Sequence, residues 1–292
     1  MPFSQFRGEA ILFFTTLLAA AGWFFSKYAI ADFPPVGFIA IRFLLAAVVF
    51  LPFAYRGLCQ LSAIQLKMAG LVGFFFAINL IAWVLAITGD AKLGQGAFII
   101  SLSLLIAPCV SWLIFRNKPN AAFWLALPVS VLGLYFLVAG GGEIAFSAND
   151  RFFFLSSGTA AIYFVLLNQY AKQIPALALT TILFMMVAVI GGAYSLWMEN
   201  WQVTISTEAL GWLIASVIIA TNLRFLLQTI GQKHCSIANA SIIMLLEPVW
   251  TLLLSVWILA ESLSVQKALG CLLILAALII YRLPAILRKR RG

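Results

Sequence analysis

Charge is what this chain has least of: only 9% of its 292 residues are Asp, Glu, Lys or Arg, and His234 is the single histidine. Cys59, Cys109, Cys235 and Cys271 are scattered, with no CxxC pair and no histidine cluster, so neither a disulfide framework nor a metal site is supported. Paired acids are lacking too, because Asp32, Asp90 and Asp150 all fall between apolar runs rather than within them. An embedded enzyme usually wants such residues, and here no catalytic residue, metal or cofactor is expected. Water solubility is excluded as well. With 64% hydrophobic residues and a mean hydropathy of +1.08, a domain of this length could not hide its apolar surface.

What is present is a succession of uncharged runs, each about the 20 residues a bilayer core of ~30 Å requires. They lie near Ala10 to Ala29, Pro34 to Ala54, Met68 to Thr88, Gly94 to Phe115 and Ala122 to Gly140. After the polar connection Gly141 to Asp150 follow Phe152 to Ala171, Pro175 to Met198, Ala209 to Ile230, Ser236 to Leu259 and Ala268 to Pro284. The expectation is an all-α polytopic membrane protein of ten transmembrane helices.

The runs also repeat. Ser101 and Pro108 recur as Ser241 and Pro248, Pro35 as Pro175, and Trp23 meets Tyr163 at the same spacing. Two copies, 1–142 and 143–292, would each cross the membrane five times. An odd number of crossings turns the second copy upside down, the layout of many secondary transporters.

Sidedness of charge agrees with that count, since cytoplasmic loops collect Lys and Arg. With the N-terminus inside, the even-numbered loops and both tails hold twelve bases against one acid, Glu9. The opposite side holds four bases against seven acids. Both termini are therefore expected in the cytoplasm, and the net charge of +9 reflects topology, not nucleic-acid binding. The cluster Arg288 to Arg291 fixes orientation or touches anionic lipid headgroups. The first apolar run is too long for a signal peptide and has no small-residue cleavage site followed by a polar start, so it is expected to remain.

Three charged side chains fall deep within spans: Arg42, Arg224 and Glu247. Each is costly at a helix centre, so such groups face a cavity or one another; the long stem of Arg42 also allows it to snorkel to an interface. Arg224 and Gln228 share a helical face, as do Asn79 and Trp83 in the corresponding span, and the two polar faces are expected to look at each other. Glu247 is the only acid in any span on this reading, on a face with Asn239, Ile243 and Trp250. It can hold a substrate ammonium, carry a coupling proton, or neutralise an arginine. Pro108, Pro128 and Pro248 lie inside spans, which membrane helices tolerate; Pro108 and Pro248 are candidate hinges or static kinks. Trp197, Trp201 and Trp212 suit an interfacial belt, whereas Trp23, Trp83, Tyr163 and Trp250 sit within spans and either pack or wall a ligand. Ser101, Ser103 and Ser241 allow close approach or donate hydrogen bonds. His234, in a short connection, suits a solvated or capping role.

The run from Ser241 through Glu247-Pro248-Val-Trp to Glu261-Ser-Leu-Ser and Gly270 resembles the second repeat of EamA-type proteins in the drug/metabolite transporter superfamily. Ile41-Arg42-Phe43-Leu44-Leu45 and Ser103 to Pro108 are similar to the first repeat. Within that superfamily the chain looks most like YddG-type exporters of aromatic and other amino acids. One departure is Arg116-Asn117-Lys118, where the second copy has Glu261.

The resemblance implies a multi-pass protein of bacterial inner-membrane type, sufficient as a single chain. It would export small metabolites by alternating access around a central midplane cavity. For an amino-acid cargo, Arg42 or Arg224 would meet the carboxylate, Glu247 the ammonium, and Trp83, Tyr163 and Trp250 the side chain, with Asn79, Ser101 and Gln228 completing the hydrogen bonds. Its partners are then that small molecule and membrane lipid. Efflux of drugs or other small metabolites, a channel, and a membrane-embedded lipid-modifying enzyme remain the alternatives. Two deep arginines disfavour cationic cargo.

Overall fold

The computed structural model describes residues 2–29, 32–87, 93–139, 150–202, 206–259 and 264–290. The regular structure in them is helical: α1 (Pro2–Ala29), α2 (Pro35–Cys59), α3 (Ala63–Ile87), α4 (Leu93–Phe115), α5 (Ala121–Ala139), α6 (Asp150–Tyr170), α7 (Ala176–Met198), α8 (Thr207–Ala215), α9 (Arg224–His234), α10 (Ile237–Met244), α11 (Glu247–Leu259) and α12 (Val265–Arg290). A π-helical segment, Ser216–Leu223, joins α8 to α9 without a break. Among the described residues, seven helical stretches are long and apolar enough to cross a membrane, and three shorter apolar ones are Ile99–Phe115, Ala121–Phe136 and Val265–Tyr281. Helices are what apolar runs must form in lipid, where every backbone N–H and C=O needs an internal partner. Asp90, Glu261 and the connection Gly141 to Asn149 lie outside the described residues.

Short polar signals set the helix starts. Ser62 and Gln65 form a reciprocal capping box, the Gln65 N–H donating to Ser62 Oγ at 3.2 Å and the Ser62 N–H to Gln65 Oε1 at 3.0 Å. Asn120, Ser206, Ser236 and Ser264 cap α5, α8, α10 and α12 in the same sense. Ser206 also donates its N–H and its hydroxyl to Asp32, which holds that carboxyl below its ordinary range. The contact is therefore present at neutral pH and is lost in acid, as pH falls through the lowered value.

A different device starts α2. Pro34 at its N-cap has no side-chain bond, and Glu199, just past α7, reaches across to accept from the N–H groups of Val36 at 2.9 Å and Gly37 at 2.8 Å. Ser195 Oγ donates to the same carboxylate at 2.6 Å. Trp201 covers the joint so closely that a Cβ on Gly37 would fall 2.5 Å from its ring. Glu199→Ala is expected to cost about 1–2 kcal/mol, the range of a lost helix cap. A melting temperature in detergent indistinguishable from wild type would count against this tie.

The packing partners cross between the two halves of the chain. α2 lies along α7, α5 along α12, α3 and α4 against α6, and α1 against α8, α9 and the π segment. One core centres on the rings of Phe43, Phe76, Phe184 and Phe225, whose centroids lie 5.0–6.0 Å apart. A second, with Phe123, Leu134, Leu246 and Ile274, joins α4, α5, α10, α11 and α12. Leu113, Trp197 and Trp257 are each more than four-fifths exposed, the outward apolar rim a bilayer would cover.

Several expectations change here. α1 begins well before Ala10, so Glu9 is in the helix and buried, and Glu247 is not alone among helical acids. The expected ninth span is two helices, broken at Leu245 and Leu246. Pro248 has no N–H for the carbonyl of Met244, and Leu246 turns back to Ile243 O at 3.0 Å instead. α4 passes through Pro108, and α5 through Pro128, without such a break. His234 is the last residue of α9 rather than part of a loop. Trp197 is exposed, Trp201 also covers the start of α2, and Trp212 stacks on Phe25 of α1 at 5.9 Å.

Candidate functional site

The break at Pro248 places Glu247 at the first position of α11, and the π segment places Arg224 at the first position of α9. These two meet. Arg224 Nη2 lies 3.4 Å from Glu247 Oε2, both side chains about one-fifth exposed (22% and 19%), so the pair is reachable from outside the protein. Trp23 of α1 donates from Nε1 to the other carboxylate oxygen at 3.2 Å. Its ring meets Trp83 of α3 edge-to-face at 5.1 Å. Glu247, Arg224, Trp23 and Trp83 thus form one contiguous group, with Trp23 38% exposed despite being bonded to the pair.

Arg42 takes a different position. It is buried, donating from Nε to Thr221 Oγ1 at 2.5 Å and from Nη2 to the carbonyl of Ala220 at 3.1 Å. The π segment ends here: the N–H of Arg224 is shared between the carbonyls of Ile219, five residues back, and Thr221, and the carbonyl of Ala220 between them accepts from Arg42. Charge within a membrane span is costly, so the Arg224–Glu247 pair and the bonded Arg42 mark this part of the bundle as the candidate site.

Below the pair, Gln228 lies one turn beyond Arg224 and is 3.5 Å from Tyr163 Oη of α6 through its Nε2. Tyr163 stacks on Phe76 of α3 at 4.6 Å. Asn79 accepts from Ser156 of α6 at 2.9 Å, so the α3 and α9 polar faces meet through Phe76, Tyr163 and Trp23, not directly. Trp250 turns toward α1, donating to Thr16 at 3.1 Å with its ring edge-to-face on Phe13 at 5.7 Å. Asn239 also reaches α1, donating to Glu9 Oε1 at 2.8 Å and accepting from Tyr281. Asn239, Glu247 and Trp250 therefore do share a direction: all three contact α1, at Glu9, Trp23 and Thr16.

Ser101 is half-buried on α4, with no hydrogen bond to the other candidates among the described residues. No group of three His, Cys, Asp or Glu that could hold a metal occurs among the described residues. Trp23 and Thr221 were missing from the sequence-derived site. Trp23 carried a signal, an aromatic inside a span, but Thr221 carried none, because helical phase cannot be followed through a π segment. Buried polar atoms without a hydrogen-bond partner gather on α8 to α10, at Ser216, Asn222, Arg224, Gln228, Gln232 and Ser241. Such atoms are rare in folded proteins and ask for an occupant.

Comparison with known proteins gives a consistent picture. The sequence matches the EamA-like transporter family over residues 6–139 and again over 150–283. It is 24% identical over 257 residues to an "Uncharacterized transporter" of Archaeoglobus fulgidus, covering 88% of this chain and 80% of that one. It is also 23% identical over 177 residues to "Uncharacterized transporter YwfM" of Bacillus subtilis, 60% of each chain. A solved crystal structure superposes with a TM-score of 0.79 at 17% identity, covering 95% of this chain and 98% of that one. At that identity the likeness speaks for the fold alone.

Proposed function

The chain belongs to the EamA-like transporter family, and from that premise we propose that it exports amino acids, aromatic and other neutral ones, by alternating access. Membership and the apolar helices make it a multi-pass membrane transporter rather than an enzyme. The proposal adds ten membrane crossings in two inverted five-helix repeats, with both termini cytoplasmic. Support for the repeat comes from the double family match and from the starts of α2 and α7. Their N-cap prolines, Pro34 and Pro175, have nearly identical backbones, φ −56, ψ 130 and φ −55, ψ 129. Pro34 thus matches Pro175 here, one residue before the Pro35 that the repeat spacing pairs with it.

The observation that carries the cargo assignment is the Arg224–Glu247 pair beside Trp23 and Trp83. An amino-acid zwitterion presents a carboxylate and an ammonium on one carbon. It can enter by exchanging partners, its carboxylate on Arg224 and its ammonium on Glu247, so that no charge is left bare. The side chain then lies against the indoles. Arg42, already bonded to Thr221 and Ala220, contributes its positive charge and holds the π segment in shape. Opening and closing would bend the chain at the break before Pro248 and at Pro108.

Counterflow of labelled phenylalanine into vesicles loaded with single amino acids tests this. Saturable exchange, competed by leucine and indifferent to a quaternary ammonium dye, is the expected result; exchange of the dye without phenylalanine would replace the cargo with a drug. Trp23→Leu is expected to raise KM for phenylalanine about tenfold, as loss of an aromatic contact and its indole donor allows. Alanine transport should change less. Equal effects on both cargoes would remove the indole from the side-chain wall.

A further inference from the structure

The polar face of α9 does not stop at the ion pair. Arg224, Gln228 and Gln232 stand four residues apart and so lie on one face, and each carries buried polar atoms without a hydrogen-bond partner: Nε of Arg224, Oε1 of Gln228, and both Oε1 and Nε2 of Gln232. Exposure falls steadily along this file, from 22% for the Arg224 side chain to 3% at Gln228 and 0% at Gln232. The site is thus open toward the Trp23 end and sealed toward the His234 end. α6 forms the facing wall, with Tyr163 beside Gln228 and Asn168 donating to the carbonyls of Gln232 at 2.8 Å and Cys235 at 3.1 Å. Leucine or alanine would pack such a wall at less cost than Gln232, whose amide has no side-chain partner, and Gln228, whose Oε1 has none.

α1 closes the far end. A Cβ on Gly8 would lie 2.8 Å from His234 Cβ, and one on Gly231 would lie 3.1 Å from the carbonyl of Gly8, so the two helices touch through their glycines. Immediately beside this contact, Glu9 accepts from Asn239, which accepts in turn from Tyr281. α1, α10 and α12 are thereby tied together next to the contact of α1 with the His234 end of α9.

We propose that the Gln228–Gln232 face of α9 is the second half of the transport pathway, shut in this conformation, and that the Glu9–Asn239 bond is the latch that shuts it. When α1 swings away from α9, the Gln228 and Gln232 amides take up water and then cargo between Arg224 and the His234 end. The inference rests on the transporter reading above but not on amino acids being the cargo.

Thiol labelling tests it without reference to cargo. In a background with the four native cysteines replaced, Gln232→Cys and, as a second reporter, Gln228→Cys are reconstituted and exposed to a membrane-impermeant sulfonate thiol reagent from either side. Leu179→Cys, fully buried on α7, gives the baseline. Gln232→Cys is expected to react at least tenfold faster than this baseline, only from the side that bears Lys233, and Glu9→Ala is expected to raise the rate several-fold further. Reaction at baseline in both the Glu9 and Glu9→Ala backgrounds, or reaction from the opposite side alone, overturns the proposal. Normal labelling in a protein that does not exchange amino acids removes only the cargo assignment.

Discussion

Glu247→Gln is expected to lower amino-acid counterflow ten- to a hundredfold while the protein still inserts and elutes as a single species. Glutamine keeps the shape and one acceptor for Trp23, but it cannot neutralise Arg224, which sits 3.4 Å from the carboxylate. Hydrogen bonds to charged groups are worth about 1.5–3 kcal/mol, and a cargo ammonium would lose that contact as well. Discounting for the one-fifth exposure of both side chains, partial screening by water keeps the effect within that range rather than the larger cost of a fully buried pair. Unchanged flux of phenylalanine would remove Glu247 from the site. An equal loss of flux together with an aggregated protein would assign it to folding, so elution and melting are read alongside.

The second large effect concerns Arg42. Arg42→Met leaves Ala220 O and Thr221 Oγ1 without the guanidinium that both accept or receive in the present structure. Two opposing terms decide the outcome. Removing a buried cation relieves its desolvation, whereas losing two charge-assisted bonds costs about 1.5–3 kcal/mol each. Because Arg42 bonds two successive residues of the π segment, the bonds are expected to win by about 2 kcal/mol. A double-mutant cycle with Thr221→Val isolates the contact; a coupling energy of about 1–2 kcal/mol is expected from melting in detergent. Strict additivity of the two variants would show that Arg42 does not brace the π segment.

Comparison of particular residues shows which features can be read along the chain. Arg42, Arg224 and Glu247 stood out because charge within a long apolar run is costly wherever the run is placed, and that cost depends on sequence alone. Arg224 and Gln228 could be put on one face because α9 is regular from residue 224 to 234. Trp250 and Glu247 were correctly given a common direction, but their partner, α1, could not be named, since nothing in a helix's own sequence fixes its rotation against a neighbour. Glu9 was lost for another reason: the helix extends through charged residues into what reads as a polar tail, and hydropathy cannot see a boundary that capping and packing decide.

Composition by itself determined the membrane, the helical class and the short inventory of midspan polar groups, because the bilayer allows a long uncharged segment few other conformations. Tertiary structure alone decided that Arg224 pairs with Glu247, that Arg42 is held by a π-helical carbonyl, and that the amides of α9 line a sealed seam. Each of these depends on how one helix is turned and shifted against another, a choice made by close packing of Phe43, Phe76 and Phe225 and by the glycine contact of α1 with α9. Such fits are properties of two surfaces together and are written in neither sequence segment alone.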